Sequence, residues 1–267
     1  MKLVFFTNPQ KPNAPELLKR LAGTAAEKGA ECVCAERDDA LKELLAGEWS
    51  DAFCVVTIGG DGTILRAVSA AAVHGIPVLG VNLGRVGFFS EIGADEFEEA
   101  LTKLFSGDYT VENASMLTCF VNGVEMGCCL NDFAIHRQEL SSITQLELAI
   151  DGCEVGNVMA DGLIVGTPSG STAYTMSAGG PVVAPKLECI LVTPICPHSL
   201  TVRPIVTSAE SVISARLMCT CRLSMDGQNL RLLHPGDEAV FQRSRRTAAF
   251  IRFGSRNIFR LIREKLR

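Results

Sequence analysis

The strongest constraint on the fold is a change of period near residue 108. Before it, short apolar runs alternate with stretches of helical spacing. After it, apolar and polar residues alternate one for one. In the first third, Lys2–Thr7, Glu31–Ala35, Ala52–Ile58 and Pro77–Val81 read as strands. Ala14–Lys28, Asp39–Ala46 and Thr63–His74 read as helices, the first closing on Gly29 and the last on Gly75. Strands alternating with helices build a parallel sheet covered on both faces. Beyond residue 108, YTVENASMLTCFVNGVEMGCCLNDFAIHR carries Asn122-Gly123, a preferred hairpin turn, and LELAIDGCEVG repeats the pattern around Asp151-Gly152. The runs ECILVTPI, SVISARLMC, RLSMDG and EAVFQR continue it, so the second domain is expected to be all-β.

Composition excludes several classes. The 267 residues are 47% hydrophobic and 21% charged, as in an ordinary globular protein with a sizeable core. No apolar run reaches the roughly 18–20 residues of a membrane span, and MKLVFFTNPQKP reads as a first strand rather than a signal peptide. A soluble cytoplasmic protein without a membrane partner is expected. The eleven cysteines are odd in number and contain no C-x-x-C, so small buried hydrophobes are expected in place of disulfides or zinc. The net charge of -5 hides a basic end: from Arg243 onward, nine basic residues stand against one acid, Glu264. SRNIFRLIREKLR sets Ile258, Leu261, Ile262 and Leu266 on one helical face, which points to a docked amphipathic helix rather than a nucleic-acid tail.

In VTIGGDGTILRA, Gly59, Gly60 and Gly62 fall between a strand and a helix expected to start near Thr63. Such a turn presents free N–H groups and the positive helix end, which suit phosphate. It matches neither G-x-G-x-x-G nor G-x-x-x-x-G-K-S/T. Asp61 beside a phosphate costs repulsion unless it acts as a general base, works through Mg²⁺, or simply caps the helix. Arg66, one turn in, either touches phosphate or is solvated.

Strand–GGDGT–helix resembles a kinase superfamily that includes NAD kinases, diacylglycerol and sphingosine kinases and, more distantly, 6-phosphofructokinases. LNDFAIHR (130–137), ADGLIVGTPSGSTAYTMSAGGPVVAP (160–185) and TPICPHSLTVRPIV (193–206) are similar to the successive motifs of NAD kinases, in family order and spacing. The resemblance runs from Leu3 to about Gln228. It implies a Rossmann-like α/β domain over 1–107 and an all-β, β-sandwich, NAD-binding domain over 108–242. The basic segment 243–267 would end in a helix returning to the first domain.

The resemblance also implies roles. ATP phosphates and Mg²⁺ would lie against the GGDGT turn, at Gly59, Gly60, Gly62 and Thr63. Asp61 would be the base for the 2′-hydroxyl of the NAD⁺ adenosine ribose. Asn131 has an amide suited to an adenine edge, and Asp132 a carboxylate suited to ribose hydroxyls. The family usually has Glu where Asp132 stands. Ser169, Thr172, Ala173, Tyr174 and Ser177 would hold the adenosine part, and Asp161 would meet the other end of the dinucleotide. Asp226 and Gln228 resemble positions near the substrate, Cys196 precedes the motif's Pro197-His198, and Gly227 replaces a histidine found in some relatives. A homodimer or homotetramer follows from the same likeness. Two other readings stay open: a GGDGT lipid kinase, and a sensor that binds NADP(H) without turnover.

Overall fold

A computed structural model of the chain describes residues 1–267 except 12, 85–86, 140–141, 200, 255–260 and 264–267; the Asn229 side chain is also outside the description. Contacts divide it into two units, residues 1–114 with 246–267, and residues 115–245.

The first unit runs β1 (Lys2–Thr7), α1 (Ala14–Glu27), β2 (Glu31–Ala35), α2 (Asp38–Ala46), β3 (Cys54–Ile58), α3 (Asp61–Ala71), β4 (Val78–Asn82), β5 (Ile92–Gly93) and α4 (Phe97–Ser106). The strands pair in the order β2-β1-β3-β4-β5, all parallel. All five residues of β3, CVVTI, are buried, as expected of a central strand covered on both faces. α1 and α4 turn Leu18, Leu21, Phe97, Leu101 and Leu104 into one core with Phe5, Val56 and Leu79. α3 lies close on β4: a Cβ at Gly80 would come 2.7 Å from Ile64 Cδ1.

The helix α3 starts two residues before the expected Thr63. Gly60 is extended and caps the helix, and its carbonyl accepts the N–H of Thr63 and Ile64. Asp61 is therefore the first helical residue, where its charge suits the positive end of the helix. At the other end the helix stops at Ala71, and Gly75 turns the chain at φ 67°.

The second unit is built from β6 (Thr110–Val121), β7 (Val124–Cys129), β8 (Asp132–Arg137), β9 (Thr144–Ile150), β10 (Cys153–Ala160), β11 (Gly162–Gly166), the short α5 (Tyr174–Ser177), β12 (Cys189–Ile195), β13 (Ile205–Ser208), β14 (Ile213–Leu217), β15 (Cys221–Met225), β16 (Gln228–Leu233) and β17 (Glu238–Arg252). One antiparallel sheet has the order β13-β12-β11-β8-β15-β16. Facing it, β10-β9-β14-β17 pair antiparallel, and β6 joins β17 and β7. Phe133, Ile135, Leu163, Val165, Leu223 and Val192 of the first sheet share a core with Leu146, Leu148, Ala215 and Phe241 of the second. This is a sandwich filled by the inward half of each alternating strand.

Both expected hairpin turns are left-handed, at Asn122-Gly123 and Asp151-Gly152, and Asp226-Gly227 makes a third. Past the sandwich, β17 continues into the first unit, where Phe250 pairs with Val78. The expected terminal helix falls mostly outside the described residues. All eleven cysteines are free thiols. Burial pushes Cys119 and Cys221 up to about 12, consistent with small packing residues.

Candidate active site

In the first unit the chain leaves β3 through Gly59 and Gly60 and enters α3 at Asp61. Gly59 is required internally, since a Cβ there would meet the Thr63 hydroxyl at 2.6 Å. Among the described residues Gly60 and Gly62 have no such neighbour within 4 Å. Their missing side chains leave the backbone there open to close approach. The N–H groups of the first helical turn lie there, as a phosphate site requires.

The Asp61 side chain reaches from the start of α3 to the backbone of residues 88 and 89. One carboxylate oxygen accepts the backbone N–H of Phe88 at 2.9 Å, the other that of Phe89 at 3.0 Å. Two backbone amides thus fix the orientation of the carboxylate.

Thr63 is 3% exposed and braces Gly59 from within the turn, rather than facing outward. Arg66 is occupied as well. Its guanidinium grips Asp38 through Nε at 2.8 and 2.9 Å and through Nη2 at 2.7 Å, over the Phe6 ring. The expected phosphate contact from Arg66 therefore competes with a forked ion pair inside the unit.

The second unit holds a cavity of about 310 Å³ lined by Asn131, Asp132, His136, Ala173, Tyr174 and Ser224, with the Asp226-Gly227 turn at its edge. Strand alternation explains much of the lining. Phe133 and Ile135 point into the core, which leaves Asp132, Ala134 and His136 on the other face of β8. Ser224 pairs opposite Ala134 on β15 and so joins that face.

Asp226 fixes the rim. Its carboxylate accepts the N–H groups of Leu130, Asn131 and Asp132 at 3.0, 2.8 and 3.2 Å. Burial pushes Asp226 upward, against the downward pull of these bonds. Burial and then the neighbouring Asp226 carboxylate raise Asp132 to about 7. The buried Asn131 side-chain oxygen has no hydrogen-bond partner among the described residues. A buried acceptor left unpaired costs about 1–3 kcal/mol unless a ligand satisfies it.

The glycine-rich motif forms a 3₁₀ turn, Ser169–Thr172, followed by α5 at Tyr174. Gly170 permits it: a Cβ there would run into the Asn131 carbonyl oxygen. Of the expected residues, Asn131, Asp132, Ala173 and Tyr174 line one cavity. Ser169 and Thr172 belong to the turn beside it, Ser177 is exposed at the end of α5, and Gln228 is exposed at the start of β16. Asp161 is paired with Arg137 at 2.8 Å.

His136 and Ser224 join the site although the LNDFAIHR and RLSMDG runs that contain them single out neither residue. The His136 ring stacks on Tyr174, with centroids 5.6 Å apart, and its Nε2 lies 3.2 Å from the Ser224 hydroxyl. Burial lowers its pKa, which favours the neutral ring. The one available signal is the period-two spacing from Asp132 through Ala134 to His136.

A parallel α/β unit with an open glycine turn and an amide-held carboxylate, followed in the chain by a sandwich with a polar cavity, defines the GGDGT class of phosphotransferases. Two family models divide the chain between them: the ATP-NAD kinase N-terminal domain over residues 4–109 and the ATP-NAD kinase C-terminal domain over 130–253. The NAD kinase of Methanothermobacter thermautotrophicus is 41% identical over 81% of this chain and 77% of its own length. That of Heliobacterium modesticaldum is 35% identical over 97% and 96%. Among solved structures, yeast NADH kinase complexed with NADH superposes with a TM-score of 0.88 at 26% identity, covering 100% of this chain and 87% of that one. An NAD kinase from Archaeoglobus fulgidus in complex with ATP gives 0.80 at 27% identity, over 99% and 98%. The chain belongs to the NAD kinase family, and its activity is phosphorylation of NAD.

Proposed function

We propose that the chain transfers the γ-phosphoryl group of ATP to the 2′-hydroxyl of the NAD⁺ adenosine ribose, giving NADP⁺, with Asp61 as the general base. The observation that carries this is the Asp61 carboxylate, fixed on two backbone amides beside the open Gly60 and Gly62 backbone. A carboxylate oxygen held in this way accepts the proton of the attacking hydroxyl, while the helix N-terminus offers N–H groups to the transferred phosphoryl. In the sandwich, the unpaired Asn131 oxygen accepts from the adenine amino group. Asp132 receives a ribose hydroxyl, and Tyr174 with Ala173 closes on the adenosine. Ser169, Thr172 and Ser177 supply hydroxyls around it, and Asp161 and Gln228 meet the rest of the dinucleotide.

Among the described residues no group of three or more His, Cys, Asp or Glu side chains is arranged to hold a metal. A Mg²⁺ ion carried in on the donor's phosphates needs no such protein cage. Its charge would offset two anionic substrates on a chain of net charge -5. Family kinship supports a cytoplasmic homodimer or homotetramer.

The test is a coupled assay in which a dehydrogenase specific for NADP⁺ reads the product. Purified protein with NAD⁺, ATP and Mg²⁺ is expected to make NADP⁺, and to leave diacylglycerol unphosphorylated. Parallel arms with NADH and polyphosphate define the acceptor and donor range. Binding of NADP⁺ with no turnover under any donor would instead support a sensor.

A further inference from the structure

Asp61 is usable as a base only if its oxygens stay where the hydroxyl arrives, and α3 alone does not hold them. The turn at residues 87–89 does. Its Phe88 and Phe89 amides each hold one carboxylate oxygen. Gly87 sits so close that an added Cβ would overlap Asp61 Oδ1 and lie 2.7 Å from Cγ. The Gly87 N–H is itself fixed by the Ser90 hydroxyl at 2.8 Å, and Ser90 is 1% exposed.

A second set of contacts fixes the same turn from behind. Arg252, near the end of β17, donates from Nη1 to the Phe89 carbonyl at 3.2 Å and to Glu91 at 3.2 Å, and from Nε to Glu112 at 2.6 Å. Glu91 also accepts the Phe253 N–H at 2.9 Å. The side chains of Arg252 and Glu91 are 8% and 7% exposed. Phe250 stacks on Phe89 at 5.7 Å, and the Arg252 guanidinium lies 4.8 Å above the Phe250 ring. A buried ion pair is weak evidence for stability, because desolvation offsets its attraction. Here one of its donors, Arg252 Nη1, also reaches the carbonyl of the residue whose N–H holds Asp61.

We propose that the backbone turn at residues 87–89, anchored by Arg252, positions the Asp61 carboxylate for proton abstraction, with Gly87 and Arg252 as positioning residues. The proposal rests on the reading of Asp61 as the base. Gly87→Ala forces the carboxylate off its amides and leaves every residue of the sandwich cavity unchanged. A displacement of about 1 Å at a reacting group can cost on the order of 100-fold in rate. The expected result is a kcat lower by about 100-fold, with KM and Kd for NAD⁺ and for ATP within about threefold of the parent.

A double-mutant cycle separates positioning from general damage. In an Asp61→Asn background, adding Gly87→Ala is expected to lower the residual turnover no further, because the two act through one group. If Asp61→Asn turns over like the parent, the base reading itself fails. If Asp61→Asn is crippled, two results overturn the positioning role while leaving the base in place: an unchanged kcat in Gly87→Ala, or losses that multiply in the double variant. Should Gly87→Ala not fold, Arg252→Lys carries the same test. It keeps the charge and loses the fork that reaches Phe89, Glu91 and Glu112 together. Its kcat is expected to fall about 10-fold with KM unchanged, and again without further loss in the Asp61→Asn background; parent kcat or a multiplying loss overturns the proposal.

Discussion

The Asp226 carboxylate accepts the Asn131 backbone N–H at 2.8 Å across 95 positions of sequence. Together with its bonds to Leu130 and Asp132, this ties the β15–β16 turn to the start of β8 and sets the rim of the cavity. It also sets the half-buried Asp226 carboxylate beside the buried Asp132, whose burial, and then this neighbour, raise it to about 7.

That pairing has a consequence for stability. An unfolded Asp ionises near about 3.9. Between there and about 7, the unfolded chain has released a proton that folded Asp132 still holds, so this group lowers stability as pH rises through that window. Above about 7 the loss is complete. Asp132→Asn cannot ionise. It is expected to match the parent near pH 4 and to exceed it by on the order of 2–4 kcal/mol at pH 8, read by urea unfolding at both pH values. A difference that stays constant with pH would contradict the assignment.

Tyr174 lines the cavity with its ring set against His136. Stacking of a base on an aromatic ring is worth about 1–3 kcal/mol. Tyr174→Ala is expected to weaken NAD⁺ binding by roughly 10- to 100-fold in calorimetry and to leave the KM for ATP unchanged.

Gly170 faces the Asn131 backbone too closely for any side chain. Gly170→Ala must push the 3₁₀ turn away from β8, at a cost of roughly 1–3 kcal/mol. Thermal unfolding is expected to show that loss, and NAD⁺ affinity to fall with it. An Ala variant as stable and as tight as the parent would mean the turn can move freely.

Arg66 distinguishes a phosphate contact from an internal pair. Its partner Asp38 is partly exposed, so the pair is worth about 1 kcal/mol at most. Arg66→Gln is expected to lose no more than that in stability and to change the KM for ATP by less than about threefold. A rise of 10-fold or more would return Arg66 to the donor site.

Much of the fold is legible in the sequence because it is periodic. The β1-to-β4 runs and the two Asx-Gly hairpins each carry their own local signal, and the structure has them within a few residues. Sequence alone puts the start of α3 too late because Gly60 and Gly62 are poor helix formers. The helix begins at Asp61 because Gly60 caps it and the Phe88 and Phe89 amides hold the Asp61 side chain. Asn131, Asp132, Ala173 and Tyr174 are legible as polar or small residues in motifs. His136 and Ser224 come together only once β8 and β15 pair. The Asp38 partner of Arg66 and the grip of Arg252 on residues 89 and 91 cross 28 and more than 160 positions, and no local pattern announces either.

Everything in the proposed mechanism turns on Asp61 taking the proton of the 2′-hydroxyl. A positioned general base contributes about 10²- to 10⁴-fold to a rate. Asp61→Asn keeps the side chain's size and removes its basicity. The decisive measurement is single-turnover transfer from ATP to NAD⁺ in this variant, at saturating substrates and beside calorimetric Kd values. The expected rate is lower by at least about 100-fold with NAD⁺ and ATP still bound. A transfer rate within about threefold of the parent would mean that Asp61 is not the base.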